Sequence, residues 1–121
     1  MANRILVVED DEIARNNICF FVSDEGYRVD QASDGAEAIE LLKNQAFSLV
    51  ITDVIMPRVD GFELIQRVQT VSPQTPVLFM SSYPQVDSSK AILAGAAGFI
   101  RKPLMLNELL SKMRSILPVG N

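Results

Sequence analysis

The chain alternates between short apolar runs and longer segments in which apolar residues recur every three or four positions. Continuous apolar runs predict strands buried on both faces, as in a parallel sheet, at residues 5–8, 47–52, 76–80 and 98–100. Residues 27–30 alternate between apolar and polar side chains, a pattern typical of an edge strand. The chain is therefore expected to contain five strands.

Helical periodicity fills the segments between these strands. Helices are predicted over residues 11–24 and 88–95, and from Asp34, Asp60 and Pro103 onwards. The first helix has a broad apolar face, formed by Ile13, Ile18, Phe21 and Val22. Asp11 is expected to cap this helix. Pro103 is expected in the first turn of the last helix, where its missing N–H needs no partner.

Strands and helices alternate five times along the chain. Buried parallel strands joined by right-handed helical crossovers form a doubly wound α/β sandwich, which is the predicted fold class. A length of 121 residues suits one domain, so residues 1–121 are predicted to form a single domain. Residues 118–121 are expected to be a tail or the stump of a cut linker.

The composition excludes several classes of function. The sequence contains no histidine, which excludes Ser-His-Asp and Cys-His catalysis and the usual zinc sites. A net charge of −4 argues against direct nucleic-acid binding, which relies on an excess of lysine and arginine. No apolar run approaches the ~20 residues that span a bilayer. Cys19 has no partner for an intrachain disulfide, so we expect a cytoplasmic protein with no membrane partner.

Chemically active side chains follow four of the five predicted strands. They are Glu9 and Asp10 after the first strand, Asp53 after the third, Ser81 after the fourth and Lys102 after the fifth. We expect these side chains to lie close together, because the carboxyl ends of parallel strands meet at one edge of a sheet. Clustered carboxylates need a proton or a cation, and a ligand set made only of oxygen atoms favours Mg2+. Asp53 is then the best-placed nucleophile for phosphoryl transfer.

Four motifs in this order resemble the receiver domains of response regulators in two-component signalling. They are ILVVEDD at residues 5–11, DVIMPRVDG at 53–61, PVLFMSS at 76–82 and GFIRKP at 98–103. Any one motif would be weak, but four motifs that each end a predicted strand are specific. The resemblance covers nearly the whole chain. It implies a flavodoxin-like fold, with a parallel sheet of strand order 2-1-3-4-5 and five helices.

The resemblance also implies how the acidic residues act. Asp53 would accept a phosphoryl group from a phosphohistidine on a sensor histidine kinase or a histidine phosphotransfer protein. Asp10 and Asp53 would bind Mg2+ directly, together with the backbone carbonyl of Ile55, and Glu9 would contribute through water. Glu9 stands where aspartate is frequent in the family, and its longer side chain can still serve the metal.

Three further roles follow from the resemblance. Lys102 would pair with the phosphoryl oxygens and Ser81 would hydrogen-bond one of them. Phe99 would be an aromatic switch that turns inward when Ser81 moves. The output would be a changed protein-binding face, on which a downstream protein or a fused output domain depends. A dimer would form through the fourth helix, the fifth strand and the fifth helix. Arg101 is expected to be a solvated charge.

The leading interpretation is a phosphoryl acceptor that assists its own phosphorylation and slow dephosphorylation, rather than an enzyme. Ile55 and Tyr83 occupy positions that modulate dephosphorylation in the family, and Ile55 cannot orient a water. One alternative is a degenerate receiver that acts only as a protein-binding module. A second is a Mg2+-dependent aspartyl phosphatase, although Ile55 stands where such enzymes commonly have a second acid. A flavin- or nucleotide-binding module is a third, although Glu9 and Asp10 would repel a phosphate.

Overall fold

The computed structural model describes residues 3–117, in which five parallel strands alternate with five helices. The strands are β1 (Arg4–Val8), β2 (Arg28–Ala32), β3 (Leu49–Asp53), β4 (Val77–Ser81) and β5 (Gly98–Arg101). The helices are α1 (Glu12–Asp24), α2 (Gly35–Asn44), α3 (Gly61–Val71), α4 (Ser88–Leu93) and α5 (Leu106–Ile116). The order across the sheet is β2-β1-β3-β4-β5, and every neighbouring pair is parallel. The predicted fold class and strand order are confirmed, with β2 at an edge.

The central strands direct alternate side chains into two hydrophobic cores, one on each face of the sheet. In β1, Ile5 and Val7 belong to the core that α1 and α5 cover. Leu6 and Val8 belong to the core that α2, α3 and α4 cover. Both faces of β1, β3 and β4 are therefore buried, which explains why these strands are continuous apolar runs.

Four helices begin after an aspartate whose side chain accepts a hydrogen bond from the backbone of the first turn. These caps are Asp11, Asp34, Asp60 and Asp87, for α1 to α4 respectively. The capping role predicted for Asp11 is confirmed by its bond from the Ala14 N–H at 2.8 Å. Each cap supplies an acceptor to an N–H that has no partner within its own helix.

The last helix begins later than predicted. Helix α5 starts at Leu106, after Met105, whose backbone is extended (φ −97°, ψ 129°). The Leu109 N–H donates to the Met105 carbonyl at 3.0 Å. The prediction that Pro103 lies in the first turn is therefore wrong. Pro103 lies in the loop between β5 and α5, because the chain first carries Lys102 across the edge of the sheet before helical hydrogen bonds begin.

The buried face of α1 is narrower than the sequence pattern indicates. Ile18 and Val22 are buried and lie one turn apart, so they form a single stripe against the sheet. Ile13 is 73% exposed and Phe21 is 41% exposed, so only part of the predicted broad apolar face is buried. Both side chains lie outside the stripe that the sheet covers, and they leave apolar surface on α1 accessible.

The strands also end later than predicted. The predicted ends were residues 52, 80 and 100, whereas β3, β4 and β5 end at Asp53, Ser81 and Arg101. Helix α4 is shorter than the predicted range of residues 88–95. The predicted tail or linker stump at residues 118–121 lies outside the described residues. Within residues 3–117, no helix is long and apolar enough to cross a membrane.

Candidate functional site

The carboxyl ends of β1, β3 and β5 bring four of the predicted site residues together. Glu9 and Asp10 follow β1, Asp53 ends β3 and Lys102 follows β5. Lys102 Nζ donates to Glu9 Oε1 at 2.6 Å and to Asp53 Oδ2 at 2.7 Å. One carboxylate oxygen from each of Glu9, Asp10 and Asp53 lies within 4.8 Å of the others. The side chains thus converge at one edge of the sheet, as the parallel topology predicts.

Lys102 is held as a cation between two carboxylates that are largely removed from water. The side chain of Glu9 is 2% exposed and that of Asp53 is 12% exposed. Burial alone lowers the pKa of Lys102, but the hydrogen bonds and charges of Asp53 and Glu9 outweigh burial and raise this pKa. Lys102 therefore stays protonated at neutral pH and offsets part of the negative charge.

The pKa of Asp10 is raised above its ordinary value. Partial burial, and then the hydrogen bond and charge of Glu9, raise the pKa of Asp10, while a backbone hydrogen bond and the charge of Lys102 oppose this change without cancelling it. A surplus of carboxylates with oxygen as the only donor atom fits a hard divalent cation such as Mg2+. Asp10 is exposed, so a cation at this place would be reached from solvent.

Backbone contacts hold Glu9 in position. Glu9 Oε2 accepts from the Asp11 N–H at 3.1 Å, and the Glu9 carbonyl accepts from Arg15 Nη1 at 2.9 Å. Arg15 Nε also donates to Gln31 Oε1 of β2 at 2.9 Å. Arg15 thus ties the loop after β1 to the edge strand. No pattern in the sequence marks Arg15, since an arginine in the first turns of a helix is usually solvated.

Both carboxylate oxygens of Asp53 accept hydrogen bonds. Oδ2 accepts from Lys102, and Oδ1 accepts from the Ile55 N–H at 3.3 Å. A Cβ at Gly61 would lie 2.7 Å from Val54 Cα and 3.0 Å from the Asp53 carbonyl oxygen. Glycine is therefore required where the start of α3 packs against the segment that follows Asp53.

Ser81 and Phe99 lie on neighbouring strands and on the same face of the sheet. Ser81 ends β4 and is fully buried, and its Oγ accepts from the Tyr83 N–H at 3.0 Å. The hydroxyl can still donate its own hydrogen. Phe99 is half-buried at the margin of the core that α2, α3 and α4 cover. It pairs in register with Phe79, two residues before Ser81.

Arg101 is exposed, as expected of a solvated charge, but its side chain also makes specific contacts. Its guanidinium Cζ lies 4.9 Å from the centroid of the Phe99 ring. Nη1 donates to the Tyr83 carbonyl at 2.5 Å, and Nη2 donates to the Val86 carbonyl at 2.6 Å. One signal was available in the sequence: residues two apart on a strand share a face, which places an arginine beside the aromatic ring.

An apolar groove of about 270 Å3 opens beside Lys102, between α1 and the start of α5. Its apolar lining consists of Ala14, Ile18, Phe21, Pro103, Leu104, Leu106 and Leu109. Phe21 is 41% exposed and Leu106 is 40% exposed. The sequence pattern placed Phe21 on the apolar face of the first helix, but it did not reveal this surface.

Known proteins are similar to this chain in both sequence and fold. A sequence model described as the response regulator receiver domain matches residues 5–114. Response regulator MprA of Mycobacterium sp. (strain KMS) is 39% identical over 118 residues, which is 97% of this chain and 51% of that protein. The chain spans about half the length of the curated relatives it matches.

Two solved structures illustrate the structural likeness. Chemotaxis protein CheY4 of Vibrio cholerae has a TM-score of 0.89 at 30% identity, with 97% of this chain and 100% of that chain covered. Response regulator TrrA of Thermotoga maritima, solved in complex with Mg2+ and BeF, has a TM-score of 0.86 at 28% identity, with 95% and 99% covered. The fold is flavodoxin-like, in the form found in CheY. The chain belongs to the response regulator receiver domains, the phosphorylatable domains of two-component signalling.

Proposed function

We propose that Asp53 is the phosphoacceptor of this receiver domain. The observation that carries the proposal is the position of Asp53 at the end of the central strand, with Lys102 on one oxygen and a backbone N–H on the other. An oxygen of Asp53 attacks the phosphorus of a phosphohistidine. A P–O bond forms and the P–N bond breaks, with its electron pair returning to the ring nitrogen, so the imidazole leaves as a neutral ring whose other nitrogen already carries a proton. The phosphohistidine belongs to a sensor histidine kinase or a histidine phosphotransfer protein.

Mg2+ is the proposed cofactor. Asp10 and Asp53 would bind it directly, with the backbone carbonyl of Ile55, and Glu9 would contribute through water. The raised pKa of Asp10 supports a cation at this cluster. The carboxylate of Glu9 already accepts from Lys102 and from a backbone N–H, which supports the indirect contact through water. When bound, Mg2+ offsets the charge on the transferred phosphoryl oxygens.

Lys102 and Ser81 would stabilise the phosphoryl group. Lys102 can exchange its bond to Asp53 for a bond to a phosphoryl oxygen, because its flexible stem keeps the charge mobile. The Ser81 hydroxyl would donate to another phosphoryl oxygen. Phe99, on the same face as Ser81, would then turn inward. This two-state element would change the protein-binding face that α4, β5 and α5 form.

The surface supports protein partners. The apolar groove beside Lys102 gives a protein phosphodonor a surface to cover while its histidine reaches Asp53. On α4, Ile92 is 65% exposed and Leu93 is 87% exposed, which supports a dimer or an output contact on the face of α4, β5 and α5. The output would pass to a downstream protein or a fused output domain, and not directly to nucleic acid or a membrane. A cytoplasmic location stays a prediction from the sequence.

The other candidate functions have less support. A degenerate receiver would not need the Lys102 bridge between Glu9 and Asp53. An aspartyl phosphatase commonly needs a second acid two residues after its nucleophile, and that position holds Ile55. The acids after β1 disfavour a flavin or nucleotide phosphate. We therefore infer a phosphoryl acceptor rather than a turnover enzyme, with slow loss of its own phosphoryl group.

Intact-mass spectrometry after incubation with acetyl phosphate and Mg2+ tests the proposal. The native chain should gain one phosphoryl adduct, and the adduct should disappear when Mg2+ is chelated. Asp53→Asn should remove the adduct. Asp60→Asn is the matched control, because asparagine also caps a helix and α3 should remain intact. An adduct that persists in Asp53→Asn would show that another residue accepts the phosphoryl group. If the native chain gains no adduct, a beryllofluoride titration with Mg2+ decides whether the site binds a phosphoryl analogue at all.

A further inference from the structure

Arg101 connects the strand that carries Phe99 to the loop between β4 and α4. Its two terminal nitrogens donate to the carbonyls of Tyr83 and Val86, both in residues 82–87, at 2.5 and 2.6 Å. Its guanidinium also covers the Phe99 ring, 4.9 Å from the centroid. One side chain therefore contacts the aromatic ring and closes the adjacent loop, through two hydrogen bonds from a charged donor.

The same loop is connected to Ser81. The Tyr83 N–H donates to Ser81 Oγ at 3.0 Å, while the Tyr83 carbonyl accepts from Arg101 and from the Val86 N–H. The backbone of Tyr83 is thus held at both its N–H and its carbonyl. A Ser81 hydroxyl that turns toward a phosphoryl group leaves the Tyr83 N–H. A Phe99 ring that turns inward leaves the guanidinium. The first movement frees the N–H of Tyr83, whose carbonyl Arg101 binds, and the second separates Phe99 from Arg101.

We propose that Arg101 is a latch that stabilises the unphosphorylated conformation of residues 82–87 and Phe99. The latch is a positioning residue, since Arg101 acts on the switch through Tyr83 and Phe99 and does not contact Asp53. This inference rests on the proposed role of Ser81 and Phe99 as the switch. Lysine cannot replace arginine here, because an ammonium lacks the planar fork that reaches two carbonyls while it covers a ring.

Hydrogen exchange tests whether Arg101 holds the loop. In the native chain without Mg2+ or a phosphodonor, the amides of Tyr83 and Val86 should be protected by their hydrogen bonds. Arg101→Gln and Arg101→Lys should each raise exchange at these two amides about tenfold, the effect expected when hydrogen bonds from a charged group are lost. Amides of β1 should be unchanged, which separates local release from general unfolding.

The control is Arg67→Gln. Arg67 makes a single ion pair with Glu63 at 2.8 Å on the exposed side of α3, far along the chain from the loop. Its loss removes one positive charge, as Arg101→Gln does, but should leave exchange at Tyr83 and Val86 unchanged. Equal exchange in the native chain and in Arg101→Gln would overturn the proposal that Arg101 is a latch. This outcome does not depend on whether the domain can be phosphorylated.

Beryllofluoride binding in the presence of Mg2+ tests whether the latch opposes activation. Arg101→Gln should bind this phosphoryl analogue about tenfold more tightly than the native chain, because less of the population is held in the unliganded conformation. Equal affinity would mean that Arg101 stabilises both conformations alike, and would also overturn the latch. If the native chain binds no beryllofluoride, the proposed function itself fails, and the exchange experiment alone decides whether Arg101 holds the loop.

Discussion

Replacement of Asp10 by asparagine should stabilise the domain when no divalent cation is present. The pKa of Asp10 is raised mainly by burial and then by Glu9, so its charged form destabilises the folded state above that pKa. Two carboxylate oxygens at 4.8 Å repel by about 0.9 kcal/mol in water and by about 3.5 kcal/mol at an effective dielectric constant of 20. Asp10 is exposed, so the lower figure applies. Asp10→Asn should therefore add about 1 kcal/mol to the free energy of unfolding.

Urea unfolding in EDTA at pH 7 measures this change. A gain of about 1 kcal/mol should move the unfolding midpoint upward by about 0.5 M. Mg2+ should reverse the order of the two proteins. At a concentration of 100 times its dissociation constant, Mg2+ stabilises a protein that binds it only when folded by about 2.7 kcal/mol. The native chain should show this gain, whereas Asp10→Asn should show little of it because a neutral amide replaces a proposed charged ligand.

Asp87→Asn is the control for the loss of one negative charge. Asp87 caps α4, asparagine keeps the cap, and the residue lies outside the acidic cluster. Its unfolding midpoint should change little in EDTA, and Mg2+ should stabilise it as much as the native chain. Two results would refute the reasoning about the cluster. One is an Asp10→Asn variant that is no more stable than the native chain in EDTA. The other is equal stabilisation of both proteins by Mg2+.

Four further changes test other parts of the structure. Lys102→Met should slow phosphorylation by acetyl phosphate by at least about 100-fold, measured as adduct formation, without weakening Mg2+ binding; an unchanged rate would contradict its role. Gly61→Ala should destabilise the fold by about 1–3 kcal/mol in urea, because its Cβ would lie 2.7 Å from Val54 Cα; unchanged stability would show that α3 can shift. Asp34→Ala should cost about 1 kcal/mol at pH 7 by loss of a cap, and Asp34→Asn should cost less. The hydrogen bond that Asp34 accepts from the Glu37 backbone N–H lowers the pKa of Asp34. The cost of Asp34→Ala should therefore shrink as the pH falls through that pKa, and a cost that does not change with pH would contradict the charge effect. Ile55→Asn should shorten the lifetime of the phosphoryl adduct, since an amide can orient an attacking water and isoleucine cannot. An equal lifetime would show that Ile55 is not the reason for slow self-dephosphorylation.

The sequence predicts the elements of the fold because burial on two faces leaves a simple pattern. Strands β1, β3 and β4 are apolar runs, and their order in the sheet follows from the resemblance rather than from periodicity. The strand ends are missed by one residue at Asp53 and Ser81. Polar side chains suggest the end of a strand, yet the ladder continues, and Asp53 still pairs in register with Met80. The error therefore falls on two residues to which we assign the chemistry.

The acidic cluster and its lysine could be predicted because each member lies within two residues of a predicted strand end. Arg15 and Arg101 could not be predicted in this way. Their partners include main-chain carbonyls, which every residue possesses, so residue type does not mark those contacts. The carbonyls that Arg101 binds lie 15 and 18 positions earlier in the chain, and only the folded loop brings them within reach. The position of Pro103 was also predicted wrongly. The loop that places Lys102 beside the acids continues past Pro103, so α5 begins only at Leu106.

Lys102 and Arg101 are adjacent in sequence, and this adjacency links the proposed acceptor Asp53 to the loop of residues 82–87. Lys102 contacts Asp53 through its side chain, and its N–H donates to the Ser81 carbonyl at 3.0 Å. Arg101 contacts Tyr83, whose own N–H is bound to Ser81 Oγ. Lys102 contacts this segment through its backbone N–H, which Lys102→Met keeps, whereas Arg101 holds the segment through its side chain. It follows that Arg101→Gln should loosen the loop even in Lys102→Met, whereas Lys102→Met alone should leave the loop closed. If Lys102→Met opened the loop by itself, Lys102 rather than Arg101 would hold the unphosphorylated conformation.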